Sequence, residues 1–165
     1  MATIVFQRMS QFITDYVLGA SGTIIPPASW TMGLSTTVVG SGANMARNSI
    51  WSVTISGSNV NEIGSSTANG YARQTIAKSI NQGGIDWGTS TFDNTFATGG
   101  QSTAADQVTF GAFSGAPSPN GANSWAITDG STLNAGQLYV AADTAATRTF
   151  ANGDTEKVTA TIKAG

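Results

Sequence analysis

Val158-Thr159-Ala160-Thr161-Ile162-Lys163 alternates apolar and polar side chains with a period of two, which is the pattern of a strand buried on one face. The alternation recurs at Trp51, Val53 and Ile55 against Ser52, Thr54 and Ser56, and at Val108, Phe110 and Ala112 against Thr109 and Gly111. Further β-prone runs at 30–39, 71–78, 125–128, 137–142 and 147–150 bring the expected number to about eight strands. Asn69-Gly70, Asn120-Gly121, Asp129-Gly130 and Asn152-Gly153 punctuate these runs as turn dipeptides, because Gly and Asn adopt positive φ at little cost. Short strands spaced by such turns predict a mainly β chain: an antiparallel β-sandwich, jelly-roll-like in its strand number.

One segment has a helical period instead. Met9, Phe12, Ile13, Tyr16 and Val17 fall at i, i+3, i+4, i+7 and i+8, and Gly19 stands where the turn would end. The spacing predicts a short N-terminal α-helix over 8–18, preceded by a β-prone arm over 1–7. At about three turns the helix is marginal alone, so its apolar stripe must dock either on its own domain or on a neighbouring subunit. Pro26-Pro27 then denies helix and favours an extended entry to the strands of 30–165. The stretches 40–48 and 82–106 are poor in apolar residues, and the second exceeds the roughly 15 irregular residues usual in a compact domain. Ile85, Trp87, Phe92 and Phe96 within it are large apolar groups that either pin the loop to its own domain or anchor a contact between subunits.

A length of 165 residues fits one domain, and 40% apolar against 10% charged residues fits a chain that folds and stays in solution. The absence of Cys and His removes disulfides, thiol nucleophiles, His-ligated metals and the commonest general base. A net charge of -2 with no basic cluster argues against nucleic acid. No window is long and apolar enough to span a bilayer, and the first eighteen residues lack the apolar core of a secretion signal. Neither a membrane nor a cofactor is expected.

The search for catalytic groups gives no nucleotide or hydrolase motif. Lys78 and Ser79 are adjacent, but on a strand they would point to opposite faces and could not share a proton. Glu62, Asp86, Asp93, Asp106, Asp129, Asp143, Asp154 and Glu156 are each potential members of a paired-carboxylate glycosidase site. Asp129 and Asp154 sit beside Gly in turn motifs, where a side chain that bonds its own backbone accounts for them. No residue is assigned as catalytic or metal-binding. Arg73, one of few cations, is read as half of a bidentate pair with an acidic neighbour rather than as a free surface charge.

The order of segments then points to a family. Asp15-Tyr16-Val17-Leu18-Gly19, Pro26-Pro27-Ala28, Met32-Gly33-Leu34-Ser35-Thr36-Thr37 and Gly70-Tyr71-Ala72-Arg73-Gln74 are followed by Trp125-Ala126-Ile127-Thr128-Asp129-Gly130, Gly136-Gln137-Leu138-Tyr139 and Phe150-Ala151-Asn152-Gly153-Asp154. This succession resembles small tailed-bacteriophage virion proteins labelled as capsid cement or decoration proteins or as tail-fibre proteins. The resemblance implies a non-enzymatic structural protein on the outer surface of the capsid, a homotrimer in preference to a dimer, that clamps neighbouring major capsid protein subunits. The interface expected on this reading draws on Ile4, Val5 and Phe6 of the arm, which could add to the edge of a capsid sheet. It also draws on Phe12 and Tyr16 of the helix, on Arg73, and on Trp87 and Phe92. The alternative is a receptor- or carbohydrate-binding tail component, with Trp87, Phe92, Tyr71 and Tyr139 as stacking platforms.

Overall fold

The structure is a computed structural model of the chain, and it describes residues 3–5, 29–38, 61–77, 91–92, 101–104, 107–130, 132–133 and 135–164. These residues are mainly β, in antiparallel sheets, with no helix among them. The strands are β1 (Thr3–Val5), β2 (Ser29–Ser35), β3 (Gln74–Ala77), β4 (Thr91–Phe92), β5 (Gln101–Ala104), β6 (Val108–Gly111), β7 (Ala122–Thr128), β8 (Leu138–Arg148), β9 (Thr155–Val158) and β10 (Thr161–Ala164). A five-stranded sheet has the order β1-β8-β7-β2-β3, a three-stranded sheet the order β10-β5-β4, and β6 pairs with β9 alone.

The period of two in β2 sorts its side chains cleanly. Trp30, Met32 and Leu34 share one face, and the register places Met32 opposite Ile127 and Leu34 opposite Trp125 on β7. Those two stand in turn opposite Val140 and Ala142 of β8. The resulting apolar row joins one cluster with Val108 and Phe110 of β6, Val158 of β9, and Phe113, Phe150 and Ala160. Each large side chain taken out of water here contributes about 1.5–3 kcal/mol. The opposite face is also dry: Thr31, Ser35, Ser124, Ala126, Thr128 and Ala141 are all buried. An antiparallel sheet commonly leaves one face wet. Here three of its hydroxyls are taken up internally, Thr31 Oγ1 donating to Gly130 O, Ser35 Oγ to Asn61 O at 3.0 Å and Ser124 Oγ to Thr37 O at 2.7 Å.

Several expected elements are redrawn. The run 158–163 is two strands rather than one, because the chain changes partner: Val158 stands opposite Val108, whereas Thr161 stands opposite Ala104. Two residues, Thr159 and Ala160, lie between these ladders on one side and three, 105–107, on the other, so the register steps by one residue and the ribbon is interrupted. The run 147–150 is not a separate strand. Its first two residues end β8, which bulges so that Ser124 faces Asp143 while Ala122 faces Arg148. The stretch 82–106, expected to be a loop, contains β4 and β5. Thr3–Val5 pairs with β8 of its own chain, so one edge of the arm expected to join another protein's sheet is already occupied. The expected helix 8–18, the strand 51–56 and the stretch 40–48 lie outside the described residues.

Asn69-Gly70 and Asn152-Gly153 form turns as expected, with Gly70 at φ +84° and Gly153 at φ +86°. Their surroundings differ. A Cβ on Gly70 would lie 2.9 Å from Ala112 O and 3.0 Å from Ser114 N, whereas one on Gly153 would meet nothing within 4 Å. Gly153→Ala is therefore expected to cost about 1 kcal/mol from backbone strain alone. Gly70→Ala should cost about 2–4 kcal/mol, because rigid backbone must also move. Urea unfolding at constant slope measures both, and equal losses would contradict the packing described.

Candidate functional site

The edge of β2 is shared by two separate segments. β3 pairs with it from Ser29 to Met32, and beyond that point residues 61–63 take over. Ile63 N–H donates to Leu34 O at 3.1 Å, and Thr36 N–H donates to Asn61 O at 2.9 Å. Between Glu62 and Arg73 the chain leaves this edge and returns to it, which makes 62–73 a compact loop with a closed neck. Asn69-Gly70 turns its tip, with Asn69 at φ 45° and Tyr71 N–H donating to Ala68 O at 2.9 Å.

Glu62 and Arg73 face each other across that neck. Arg73 Nε donates to Glu62 Oε1 at 2.8 Å and Arg73 Nη2 to Glu62 Oε2 at 2.8 Å, a bidentate pair between side chains with 0% exposure. Tyr71 Oη donates to Glu62 Oε1 at 2.7 Å and itself accepts Leu34 N–H at 2.8 Å, where the backbone of β2 lies between its two edge partners. Arg73 Nη1 reaches the other way, to Gly130 O at 2.6 Å and Ala135 O at 2.9 Å. Thr31 Oγ1 also donates to Gly130 O, at 2.5 Å. One ion pair thus ties β2, the loop 62–73 and the connection between β7 and β8.

The loop's outer side is fixed to 113–119. Gly64 N–H donates to Pro119 O, Ser66 and Thr67 N–H to Ser118 O, Ser118 N–H to Thr67 O and Ser114 N–H to Asn69 O, all between 2.8 and 3.1 Å. Ser66 Oγ adds a bond to Ser118 O at 2.8 Å. Beneath, the Tyr71 and Phe110 rings stack at 6.1 Å, and Phe113 stacks on Phe150 at 4.5 Å.

Burial, and then the neighbouring Glu62 carboxylate, holds the Tyr71 phenol well above its ordinary value of 10.0. The folded chain therefore keeps this proton at a pH where the unfolded chain has lost it, and stability contributed below pH 10 falls as pH rises beyond it. Chemically the cluster is closed. A carboxylate with no exposed surface, held by a guanidinium and a phenol, presents no lone pair to a substrate, and its fixed geometry serves to position backbone.

Three further described carboxylates are likewise engaged. Asp129 Oδ1 accepts Gln137 N–H at 2.9 Å, and Asp154 Oδ2 accepts Ala151 N–H at 2.8 Å, the local turn bonds expected for both. Glu156 pairs with Arg148 at 3.2 Å, and Asp143 stands opposite Ser124. Asp86, Asp93 and Asp106 are outside the described residues, as are Lys78 and Ser79. Among the described residues no three of Asp, Glu, His or Cys gather as metal ligands.

Of the residues expected at an interface, Ile4 and Val5 lie in β1 and Phe92 in β4, while Phe6, Phe12, Tyr16 and Trp87 fall outside the described residues. Arg73 has its acidic partner, as its reading as half of a bidentate pair required, and that partner removes its guanidinium from the surface. Tyr71 and Tyr139, expected as possible stacking platforms, are 3% and 2% exposed, so neither offers a ring face to a sugar. The part of the cluster missed in the sequence is its wiring: nothing local shows that Glu62 is the partner or that Leu34, Gly130 and Ala135 supply backbone groups. The sequence matches no protein-family model and no curated protein.

Two outcomes follow from this wiring. Glu62→Gln and Arg73→Met should each cost about 3–5 kcal/mol, because each leaves one buried charge without its partner. The double variant should lose far less than their sum, and Glu156→Gln at the exposed Arg148 pair should change stability by about 1 kcal/mol or less. Additive losses in a double-mutant cycle would contradict the pairing. In a spectrophotometric titration of the chain's 3 tyrosines, Tyr71 should ionise only as the fold is lost. The wild type should shed up to about 1.4 kcal/mol per pH unit more than Tyr71→Phe above pH 10. Full ionisation of a folded chain at the ordinary value would contradict the burial of that hydroxyl.

Proposed function

We propose that this chain is a structural protein of a tailed-phage virion, a cement or decoration protein that binds the outer capsid surface as a homotrimer and stabilises contacts between major capsid subunits. The observation that carries this reading is the character of the surface built over the Glu62–Arg73 neck. Ser66, Thr67, Gly70, Ser114, Ala116 and Ser118 are exposed there, and no charged residue occurs in 63–72 or 111–121. Their backbones are cross-linked by the hydrogen bonds between the two segments. Such a surface loses little side-chain entropy on contact and makes neutral hydrogen bonds that salt screens weakly. Repeated within an oligomer, modest contacts of this kind gain strength through avidity.

The same reading takes the sheets to pack as a jelly-roll-like sandwich. Support comes from the single apolar cluster shared by the five-stranded sheet and the β6–β9 ribbon. The engagement of Glu62, Asp129, Asp154 and Glu156 in ion pairs and turn bonds supports adhesion over catalysis. The tail-component alternative keeps Trp87 and Phe92 as its aromatic groups but loses Tyr71 and Tyr139 to the core.

The test is binding and stoichiometry. Purified protein is expected to bind undecorated capsids of its phage at a copy number comparable with the shell subunits, to raise their heat resistance, and to give no signal on a glycan array. A few copies per virion confined to the tail, or saturable glycan binding without capsid binding, would overturn the proposal.

A further inference from the structure

The chain contains Asn-Gly at 69–70, 120–121 and 152–153, and the structure describes all of them. Asn-Gly is the dipeptide most open to spontaneous deamidation, because a glycine nitrogen meets no Cβ on its approach to the preceding side chain. Folding can still slow the reaction by pinning the carboxamide in hydrogen bonds, so that the nitrogen cannot approach Cγ from above the amide plane. The environments differ sharply in this respect.

Asn69 is held at its amide: Nδ2 donates to Ala116 O, and its own backbone carbonyl accepts Ser114 N–H at 2.9 Å. Asn120 is held at both ends of its side chain. Its Nδ2 donates to Phe150 O at 3.0 Å, while Oδ1 accepts Gly121 N–H at 2.9 Å and Phe150 N–H at 3.1 Å. Asn152 is exposed and lies in a turn closed by Asp154 N–H to Ala151 O at 3.2 Å, and among the described residues no hydrogen bond restrains its carboxamide. A Cβ at Gly153 would have met nothing within 4 Å, so the side-chain face of that glycine is open. The reacting nitrogen is restrained by its own bond, Gly153 N–H donating to Phe113 O at 2.7 Å, which has to open first. That bond is at the surface end of the β6–β9 ribbon, where local opening is cheap relative to opening the core.

We infer that Asn152 is the site at which the folded protein deamidates. The Gly153 nitrogen, having lost its proton to solvent base, bonds to Asn152 Cγ. Nδ2 then takes a proton back from solvent, the Cγ–Nδ2 bond breaks and ammonia leaves, giving a five-membered succinimide. Water opens that ring at either carbonyl, leaving aspartate or isoaspartate. The product puts a new carboxylate two residues from Asp154 and four from Glu156, in a turn whose Gly153 and Asp154 backbone groups hold Phe113. Isoaspartate also lengthens the backbone there by one methylene, so the Phe113 bonds cannot all reform.

The experiment incubates the native full-length chain at mildly alkaline pH and maps peptides by mass over time, with a parallel sample in denaturant. Trypsin releases Asn152 in the short peptide between Arg148 and Lys157, which separates it from the other sites. The native chain should convert Asn152 several-fold faster than Asn69 or Asn120, and the denatured chain should convert all of them at similar rates. Conversion of Asn69 or Asn120 as fast as Asn152 in the native chain would overturn the inference. So would an Asn152 that stays intact when native but converts when denatured.

Discussion

The bidentate pair between Glu62 and Arg73 is the constraint on which the arrangement of this molecule depends. A pair with both side chains out of water gains strong attraction but forfeits the hydration of two ions, and the balance is close to neutral for stability. Its effect is on specificity. Only one closure of the loop 62–73 satisfies the carboxylate, the guanidinium fork, the Tyr71 hydroxyl and the Leu34 amide together. Any other closure strands a buried charge. The far side of the guanidinium extends the same demand to Gly130 and Ala135, more than fifty residues along the chain.

The placement of this cluster explains how an edge of β2 can serve two partners. β3 ends its pairing at Met32, and residues 61–63 begin theirs at Leu34 and Ser35. The loop emerging between them is docked on 113–119 through backbone groups, so charge is concentrated inside while the outer surface of that loop carries none. The chain has only 7 basic and 9 acidic residues, one of each is committed to the interior here, and the exposed residues of 63–72 and 111–121 are hydroxyl-bearing or small and carry no charge. That surface is the physical basis for a reading as an adhesive structural protein.

Much of this was legible in the sequence, and the boundary is instructive. The alternation from Val108 to Phe110 and the turns at Asn69-Gly70 and Asn152-Gly153 depend on neighbours within a few residues, so local pattern sufficed, although Ala112, expected on the same apolar face, lies past the end of β6 and is exposed. The split of 158–163 did not show, because both halves carry the same alternation and only the partner strand distinguishes them. The same holds for β8, whose bulge is imposed by its pairing with β7. β4 and β5 escaped because Gly-, Ser- and Thr-rich sequence reads as loop: β4 pairs only with β5, and the other partner of β5, β10, lies some sixty residues away. At the candidate site, the scarcity of cations made a pair for Arg73 foreseeable, but its partner was one acid among several until loop closure chose it. Tyr71, a stacking platform only on the tail-component alternative, is buried because its hydroxyl is bonded to Glu62 and Leu34, partners that its sequence neighbours do not reveal.

Native-state hydrogen exchange tests the central claim most directly. The amide of Leu34 is bonded to the Tyr71 hydroxyl at the heart of the clasp, and the amides of Tyr71 and Ser114 report on the loop tip. If the ion pair makes the loop part of the core, Leu34 should exchange only with the free energy of global unfolding, together with the β2 and β7 amides. Exchange of Leu34 through a low-energy local opening, while the central sheet stays protected, would show that the neck opens independently and would contradict the account.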